Sequence, residues 1–528
     1  MKPLSPHWAD VCAAKILRER GDKEEYVVAS GITPSGLIHI GNFREVITVD
    51  LVARALKALG KRVRFIYSWD NFDTFRKVPK NVPDPKGFEP YLRRPIARIP
   101  DPWGKGTSFA QGRTMEFEAE LSNVGIFPQY LYQEQKYSNG DYAQQVYDAL
   151  NARQAIIELL NQHRTEPLAS DWLPTSIYCG KCESDQMAWE RYEGGWSYAY
   201  ACKDCNFTET VDIRTTRNLK LVWRVDWPMR WHYEKVDFEP GGKDHSSQGG
   251  SFDTGKEIVK IVWNQTAPSY LQYDFVRIKG GAGKMSSSSG ELYTLGQVLK
   301  IYEPQIVRWI FSNQRPNHDF AIAFDEDVIK IHDEFDRAEA FVFDPKNEQE
   351  KTWTMQKRSY EFSLTESHPL ERQPKRASFR DLCNRLQICN LDIERTFARY
   401  YKDEITENED IAAFRLRAAN VCNWLADYAP AVFRYSLREK AAKVDLSPSQ
   451  SKAIHCLRNL LAEIDTETLS PKEINEAIWD KVINPENLDA KEVFVAVYQK
   501  LIGRDQGPRL PSFIKEIGGK RVYELLEE

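Results

Sequence analysis

Residues 25–70 constrain the fold more than any other part of the chain. "EYVVAS" (25–30) is a short, nearly continuous apolar run, the mark of a buried strand. The Gly/Pro loop "GITPSG" follows it. Ile40, Phe43, Ile47, Leu51, Ala55 and Leu59 then recur at helical spacing up to Gly60, a helix stop. "VRFIYSWD" (63–70) returns to a strand and ends on an acid. Strand, tight loop, helix, strand is a βαβ unit, which calls for a parallel sheet. A ligand then belongs at the carboxyl end of the first strand, beside the helix N-terminus. That helix start is compositionally poor. "TPSGLIHIGN" (33–42) puts Gly36, His39, Gly41 and Asn42 where better helix formers would be expected. Such residues suit a phosphate-bearing ligand. The helix start offers unpaired N–H groups and partial positive charge, Gly41 permits close approach, and His39 and Asn42 share a face as hydrogen-bond donors. A plain helix cap with a satisfied histidine explains His-x-Gly-Asn equally well when that stretch is taken alone.

The 528 residues exceed one hydrophobic core, so three or four domains are expected. No run of about 18 apolar residues offers a membrane span, and "MKPLSPHWAD" has no apolar signal core. A cytoplasmic location is therefore expected. The net charge of −5 argues against indiscriminate polyanion binding but leaves room for a local basic patch. Residues 75–115, rich in Pro, Arg and Lys with weak periodicity, read as an inserted segment. Residues 142–163 read as one helix, and sheet-like patches follow at 219–225 and 257–264. From about 292 onward no strand is predicted; 415–443 and 449–464 read as amphipathic helices.

Two further patterns carry chemistry. Cys179, Cys182, Cys202 and Cys205 form two C-x-x-C pairs around a hairpin-like "WERYEGGWSYAYA". Two such knuckles supply the four thiolates of a closed, structural zinc site. The loop "GGAGKMSSSSG" joins glycines, the cation Lys284 and hydroxyls. It can close on a triphosphate, with Lys284 offsetting charge that develops in transfer. Alone it reads more readily as a flexible Gly/Ser linker. "WRVDWPMRWHYE" (223–234) is rich in acids and aromatic rings, which suit a cationic ligand and equally plain core packing.

His-Ile-Gly-Asn after the first strand and Lys-Met-Ser-Ser-Ser in the later loop resemble the two signatures of class I aminoacyl-tRNA synthetases. "GITPSGLIHIGNFRE", "WDNFDTFRKVP", "GGKDHSSQGGSFD" and "GRDQGPRLPSFI" resemble the class I lysyl-tRNA synthetase family over nearly the whole chain. The resemblance implies lysine activation by ATP to lysyl-adenylate and pyrophosphate, then transfer of the lysyl group to the 3′ end of tRNA(Lys). It makes His39, Asn42 and Lys284 catalytic. It gives ATP to Pro34, Ser35, Gly36, His39, Gly41, Asn42, Lys284, Met285, Ser286, Ser287 and Ser288. It places Gly31, Thr33, Trp223 and His245 around lysine; Glu45, Asp226 and Tyr273 are added on chemistry. Asn42 stands where many relatives carry a second histidine, and Ser287 where many carry a second lysine, leaving Lys284 or Lys279 to meet the pyrophosphate charge. Ala29 stands where glutamate-specific relatives have an arginine that grips a carboxylate. Mg²⁺ is expected with the phosphates. The stretch "RIPDPWGKGTSFAQG", where relatives can carry a further zinc site, has Asp101 but no His or Cys, so one structural zinc is expected, at the four cysteines.

The expected architecture is α/β: a Rossmann-type parallel-sheet catalytic domain with a zinc-knuckle insertion, followed by an all-helical C-terminal domain. The boundaries are 1–75 and 216–300 for the two catalytic halves, 76–215 for the insertion, 301–370 for a connecting helical region and 371–528 for an anticodon-binding domain. There Arg415, Arg417, Arg434, Arg438, Lys440 and Lys443 stand against Asp427 and Glu439. They interleave with Phe414, Trp424, Tyr428, Phe433 and Tyr435, a pattern suited to backbone contact and base stacking, though also to a solvated face over a core. The expected partners are tRNA(Lys), through anticodon and acceptor stem, lysine and ATP; no membrane is expected, and the chain is expected to be a monomer. The rival readings are a small-molecule nucleotidylyltransferase, an RNA-binding zinc module, and another amino-acid specificity on the same scaffold.

Overall fold

The computed structural model describes residues 3–280, 292–366 and 370–527. The chain forms two compact units. One holds Met1–Leu299, Pro304–Ile322 and Phe341–Glu371; the other holds Lys300–Glu303, Ala323–Ala340 and Arg372–Glu528.

The first unit is built on the predicted βαβ core. Strand β1 (Glu25–Ile32) pairs in parallel with β2 (Arg62–Trp69), Val28 opposite Phe65. Helix α1 (Trp8–Arg20) lies against α2 (Ile40–Ala58), which connects β1 and β2 and buries Phe43, Ile47, Leu51 and Ala55 as the spacing predicts. Gly60, at φ +77°, takes the left-handed turn just beyond that helix. Strand β3 (Gln129–Tyr132) adds beside β2. β3 falls inside the segment 76–215 assigned above to the insertion, so the insertion is interrupted by a strand of the main sheet. Four residues are too few to show period-two alternation.

The remaining strands are β4 (Thr175–Ile177), β5 (Met187–Gly194), β6 (Ser197–Cys202), β7 (Thr208–Asp212), β8 (Leu219–Leu221), β9 (Phe238–Gly242), β10 (Ser269–Tyr273), β11 (Val276–Ile278) and β12 (Phe320–Ile322). The main sheet runs β10-β9-β1-β2-β3, parallel throughout. The chain leaves β1 toward β2 on one side and returns to β9 on the other. The strand order therefore switches direction at β1, which opens a crevice at its carboxyl end. The hairpin around the cysteines is present as β5 and β6, extended by β7.

Several expectations change. Residues 257–263 lie in the helix Ser251–Trp263, capped by Asn264, whose buried Thr254, Gly255, Ile258 and Val259 share one helical face; local β-branched content lost to tertiary burial. Of 219–225 only β8 is strand, and a helix begins at Trp223. Residues 142–163 hold two helices, Ala143–Asn151 and Arg153–Asn161, meeting at Ala152. β12 lies beyond residue 292, where no strand is predicted; it is three residues long and pairs with β11.

The second unit is helical among its described residues. Its core gathers Leu457, Leu460, Ile474, Val497, Leu501, Phe513 and Val522 among others. The helix predicted over 415–443 ends at Asp427, before Pro430, so it does not present one continuous basic stripe. Arg417 is buried, in ion pairs with Glu303 and Asp336, and Phe414 and Trp424 are core residues. Arg415 pairs with Glu394 at the surface. These positions hold the unit together rather than offering a stacking face.

Candidate functional site

A cleft of about 770 Å³ opens at the carboxyl ends of β1, β2 and β10, lined by Gly31, Thr33, Ser35, Gly41, Asn42, Glu45, Trp223, His245 and Tyr273. These residues come from five separate stretches, and the fold brings them to one place. Pro34 and Gly36 are buried within the loop leading to α2, and Ser35 is exposed. Lys284, Met285, Ser286, Ser287 and Ser288 lie outside the described residues. Their flanks are fixed: Lys279 donates its N–H to Ile322 O (2.9 Å), and Tyr293 O accepts the N–H of Ile40 (2.8 Å), the first residue of α2.

The poor helix start has a local explanation. His39 is the N-cap of α2. Its Nδ1 accepts the Gly41 N–H (3.1 Å), while Asn42 Oδ1 accepts the His39 N–H (3.0 Å). This reciprocal capping box satisfies two orphan donors. It also sets chemistry. With Nδ1 accepting, the neutral imidazole carries its proton on Nε2, and with Oδ1 occupied, Asn42 keeps its amide N–H groups as donors. The residues are thus fixed as donors by the helix they begin.

Glu45 stands one turn further along α2. Its Oε1 accepts the Gly31 N–H (3.0 Å) and its Oε2 the Tyr273 hydroxyl (2.5 Å). Burial pushes this carboxyl upward, against those hydrogen bonds; among the described residues Ser30 also hydrogen-bonds it and the charge of Asp70 raises it further. Gly31 is required at this point. A Cβ there would stand 2.4 Å from Ser68 O on β2.

The opposite wall comes from the edge of β2. Asp70 and Asp73 line the cleft and were not singled out from sequence, although Asp70 ends the predicted strand. Asp73 accepts from Thr33 Oγ1 (2.7 Å) and pairs with Lys220 Nζ (2.6 Å). Burial pushes its carboxyl up, but Lys220, with Thr33 and Arg230, outweighs burial and holds it below the ordinary value. Asp70 accepts from Arg230 Nη1 at 2.6 Å. Asp226, by contrast, is not on the cleft wall: it is buried, takes the Tyr137 hydroxyl and lies 3.0 Å from Arg230 Nη2. Lys220 and Arg230 reach the site from segments far from β2, which is why no local signal pointed to them.

Trp223 is 39% exposed on the cleft. It stacks on Trp227 (centroids 5.4 Å, planes 12° apart), and His245 lies 6.3 Å from Trp223 and 5.8 Å from Trp227. Ala29 packs in the core with Val27, Ile66 and Trp227. A carboxylate side chain entering the cleft would meet no arginine at position 29, and the acids Glu45 and Asp70 stand on its walls.

The four cysteines converge beside this cleft. Their sulfurs all lie within 4.8 Å of one another, with Cys179–Cys205 and Cys182–Cys202 at 3.6 Å. A tetrahedral zinc with sulfurs at about 2.3 Å has S···S edges of about 3.8 Å, so the donor set fits that ion. The Lys181 N–H donates to Cys179 Sγ (3.4 Å), a contact that favours a thiolate. Ser176 and Tyr178, just ahead of Cys179, line the cleft, and the Tyr178 hydroxyl donates to Phe72 O (3.0 Å). Asp101 instead accepts the N–H groups of Trp103, Lys105 and Gly106 in its own loop.

A sequence profile described as tRNA synthetases class I (K) matches residues 6–366. The lysine–tRNA ligase of Borrelia garinii subsp. bavariensis is 45% identical over 523 residues, covering 99% of both chains. That of Treponema pallidum is 42% identical, covering 99% of this chain and 98% of the relative. That of Thermococcus kodakarensis is 41% identical, covering 98% and 99%.

Proposed function

The chain belongs to the class I (K) tRNA synthetase family and is a lysine–tRNA ligase using ATP, and from that premise we propose how its cleft divides the work. The observation that carries the reading is Glu45: a half-buried carboxylate facing the cleft between Gly31 and Tyr273, with no ion pair among the described residues. The ε-ammonium of lysine supplies the missing charge, with the Tyr273 oxygen and the Trp223 face around it. A compact ammonium suits this cluster. A planar guanidinium needs a fork of acceptors.

ATP lies across the N-terminus of α2, with Ser35 and Gly41 giving backbone access. It enters as its Mg²⁺ complex. A lysine carboxylate oxygen attacks the α-phosphorus, the α–β P–O bond breaks, and pyrophosphate leaves with its charge met by Lys284 of the Lys-Met-Ser loop. The His39 Nε2–H and the Asn42 amide donate to phosphate oxygens as negative charge grows on them. A ribose hydroxyl at the tRNA 3′ end then attacks the lysyl carbonyl, and AMP leaves as the ester forms. Little proton chemistry is needed in the first step, so positioning and electrostatics carry it. The helical C-terminal unit reads the tRNA(Lys) anticodon, and the acceptor stem reaches the cleft. The four cysteines hold one structural zinc. The enzyme works as a cytoplasmic monomer; no helix among the described residues is long and apolar enough to cross a membrane.

ATP–pyrophosphate exchange with each of the twenty amino acids, with and without tRNA, tests the assignment. Lysine alone should support it. Strongest exchange with arginine or glutamate would overturn the lysine pocket while leaving the scaffold reading intact. His39→Ala should slow adenylate formation by about 10²-fold and lower stability by about 1 kcal/mol through the lost cap. Asn42→Asp separates the two roles. It preserves an acceptor for the His39 N–H but removes the donor, so thermal stability should stay near wild type while exchange falls at least as far as in Asn42→Ala.

A further inference from the structure

The stretch "WDNFDTFRKVPK" (69–80) carries three cations that the reaction described so far does not use. Arg76, Lys77 and Lys80 are exposed on the rim of the cleft, and none of them is held in an ion pair among the described residues. The loop beneath them is fixed. Phe75 is buried with Val82, Ile96, Ile99 and Phe109, and Val78 packs against the same cluster. The Phe75 N–H donates to Arg94 O (2.7 Å), and Phe75 O accepts the Arg93 N–H (2.9 Å). Apolar side chains at 75, 78 and 82 thus enter a small core of their own and leave 76, 77 and 80 to solvent. Like charges held this close in sequence repel one another until an anion joins them.

We propose that Arg76, Lys77 and Lys80 guide the 3′ single strand of tRNA into the cleft by pairing with its phosphodiesters. This rests on the reading that the acceptor end reaches this cleft. Two polyanions have to enter, ATP and the tRNA end, and position separates them. The Lys-Met-Ser loop leaves from β11, just after β10, whereas Arg76 follows β2. In the order β10-β9-β1-β2-β3 the ends of β10 and β2 are three strand spacings apart, about 14 Å. The triphosphate is served from the β10 side. The three cations stand on the other, on the rim that Ser176 and Tyr178 share. The walls add a reason. Glu45, Asp70 and Asp73 line the cleft, so a phosphate led deep inside would meet acids. Cations on the rim hold the phosphates there and let the terminal ribose go in, and its hydroxyl is the group that attacks the lysyl carbonyl.

Salt dependence follows from the same contacts. The chain carries a net charge of −5, so RNA is drawn by local patches rather than by the whole surface. Each cation paired with a phosphate of a single strand contributes a slope of about 0.7 to the plot of log affinity against log salt. Removing three such contacts should flatten that plot, read as kcat/KM for tRNA, by about 2.

The test uses the full-length enzyme and tRNA(Lys) made with neutral methylphosphonate linkages in its 3′ single strand. The combined variant Arg76→Ala, Lys77→Ala, Lys80→Ala should lower kcat/KM for ordinary tRNA by about 10–10²-fold. The KM values of ATP and lysine, measured at saturating tRNA, should change by less than about twofold. Neutral linkages should weaken the wild-type enzyme and cost the variant less than about twofold, because the contacts they remove are already gone. Equal losses in both enzymes, an unchanged kcat/KM for tRNA, or a wild-type salt slope in the variant overturns the proposal. A raised ATP KM with tRNA use intact would give the patch to the triphosphate and overturn it as well. If the combined variant fails to fold by circular dichroism, Lys77→Ala and Lys80→Ala decide: a smaller penalty for neutral linkages than in wild type supports the contacts, and a wild-type penalty in both refutes them. A photoreactive terminal nucleoside that labels no residue of the wild-type cleft would instead sink the reading that the acceptor end arrives there.

Discussion

Glu45→Gln is expected to lower kcat/KM for lysine by roughly 10²–10⁴-fold, the rate equivalent of about 3–5 kcal/mol for leaving a buried charge without its partner. The substitution keeps the shape: the amide oxygen can still accept the Gly31 N–H, while the amide NH2 donates to the Tyr273 oxygen in place of accepting from it. What it removes is charge. The lysine ammonium would then be desolvated against a neutral amide. ATP affinity should change little. The stability of the ligand-free protein should move the other way. Burial raises the Glu45 carboxyl above its ordinary value, so between the unfolded and folded values the folded state binds more protons than the unfolded one. Stability is therefore lost as pH rises through that window, and the penalty persists at neutral pH. Gln removes it. Steady-state exchange and thermal melting at pH 7 check both halves: a variant that is less active and less stable would mean Glu45 is a structural brace, not the charge that selects lysine.

Stripping zinc is expected to unfold the β5–β7 sheet and to abolish activity with it. Structural zinc in small knuckles contributes on the order of 10 kcal/mol to local folding, more than a three-stranded sheet of this size can supply from its own packing. Metal analysis should find one zinc per chain. Chelation or Cys182→Ser should expose residues between about 180 and 212 to protease. The damage should reach the cleft, because Ser176 and Tyr178 stand on its wall and the Tyr178 hydroxyl is tied to Phe72 O. A metal-free protein with an intact, protected β5–β7 sheet would refute the site, and a stoichiometry near two would require a second set of ligands.

The sequence by itself determined the βαβ core, the helical character of the C-terminal part, the pairing of the cysteines and the family. Each is written in a local pattern: a short apolar run, a 3.6-residue period, a C-x-x-C spacing, a signature before a helix. It determined less where local preference and burial disagree. Ile258 and Val259 suggested a strand, yet lie on the buried face of a helix. Arg417, Phe414 and Trp424 looked like an RNA face and are core. The His39–Asn42 stretch reads as a helix start suited to a ligand or as a plain cap, and in the structure the same side chains do cap that helix. Only the fold could decide how the acids divide. Asp226 stands in the tryptophan-rich stretch and is buried behind the cleft. Asp73, just past the end of β2, and Lys220, on β8 of the separate antiparallel β4–β8 pair, form an ion pair on its wall that no local pattern could announce. Charge and hydrogen-bonding capacity are properties of residues, but which carboxylate remains without a cation is a property of the packed site.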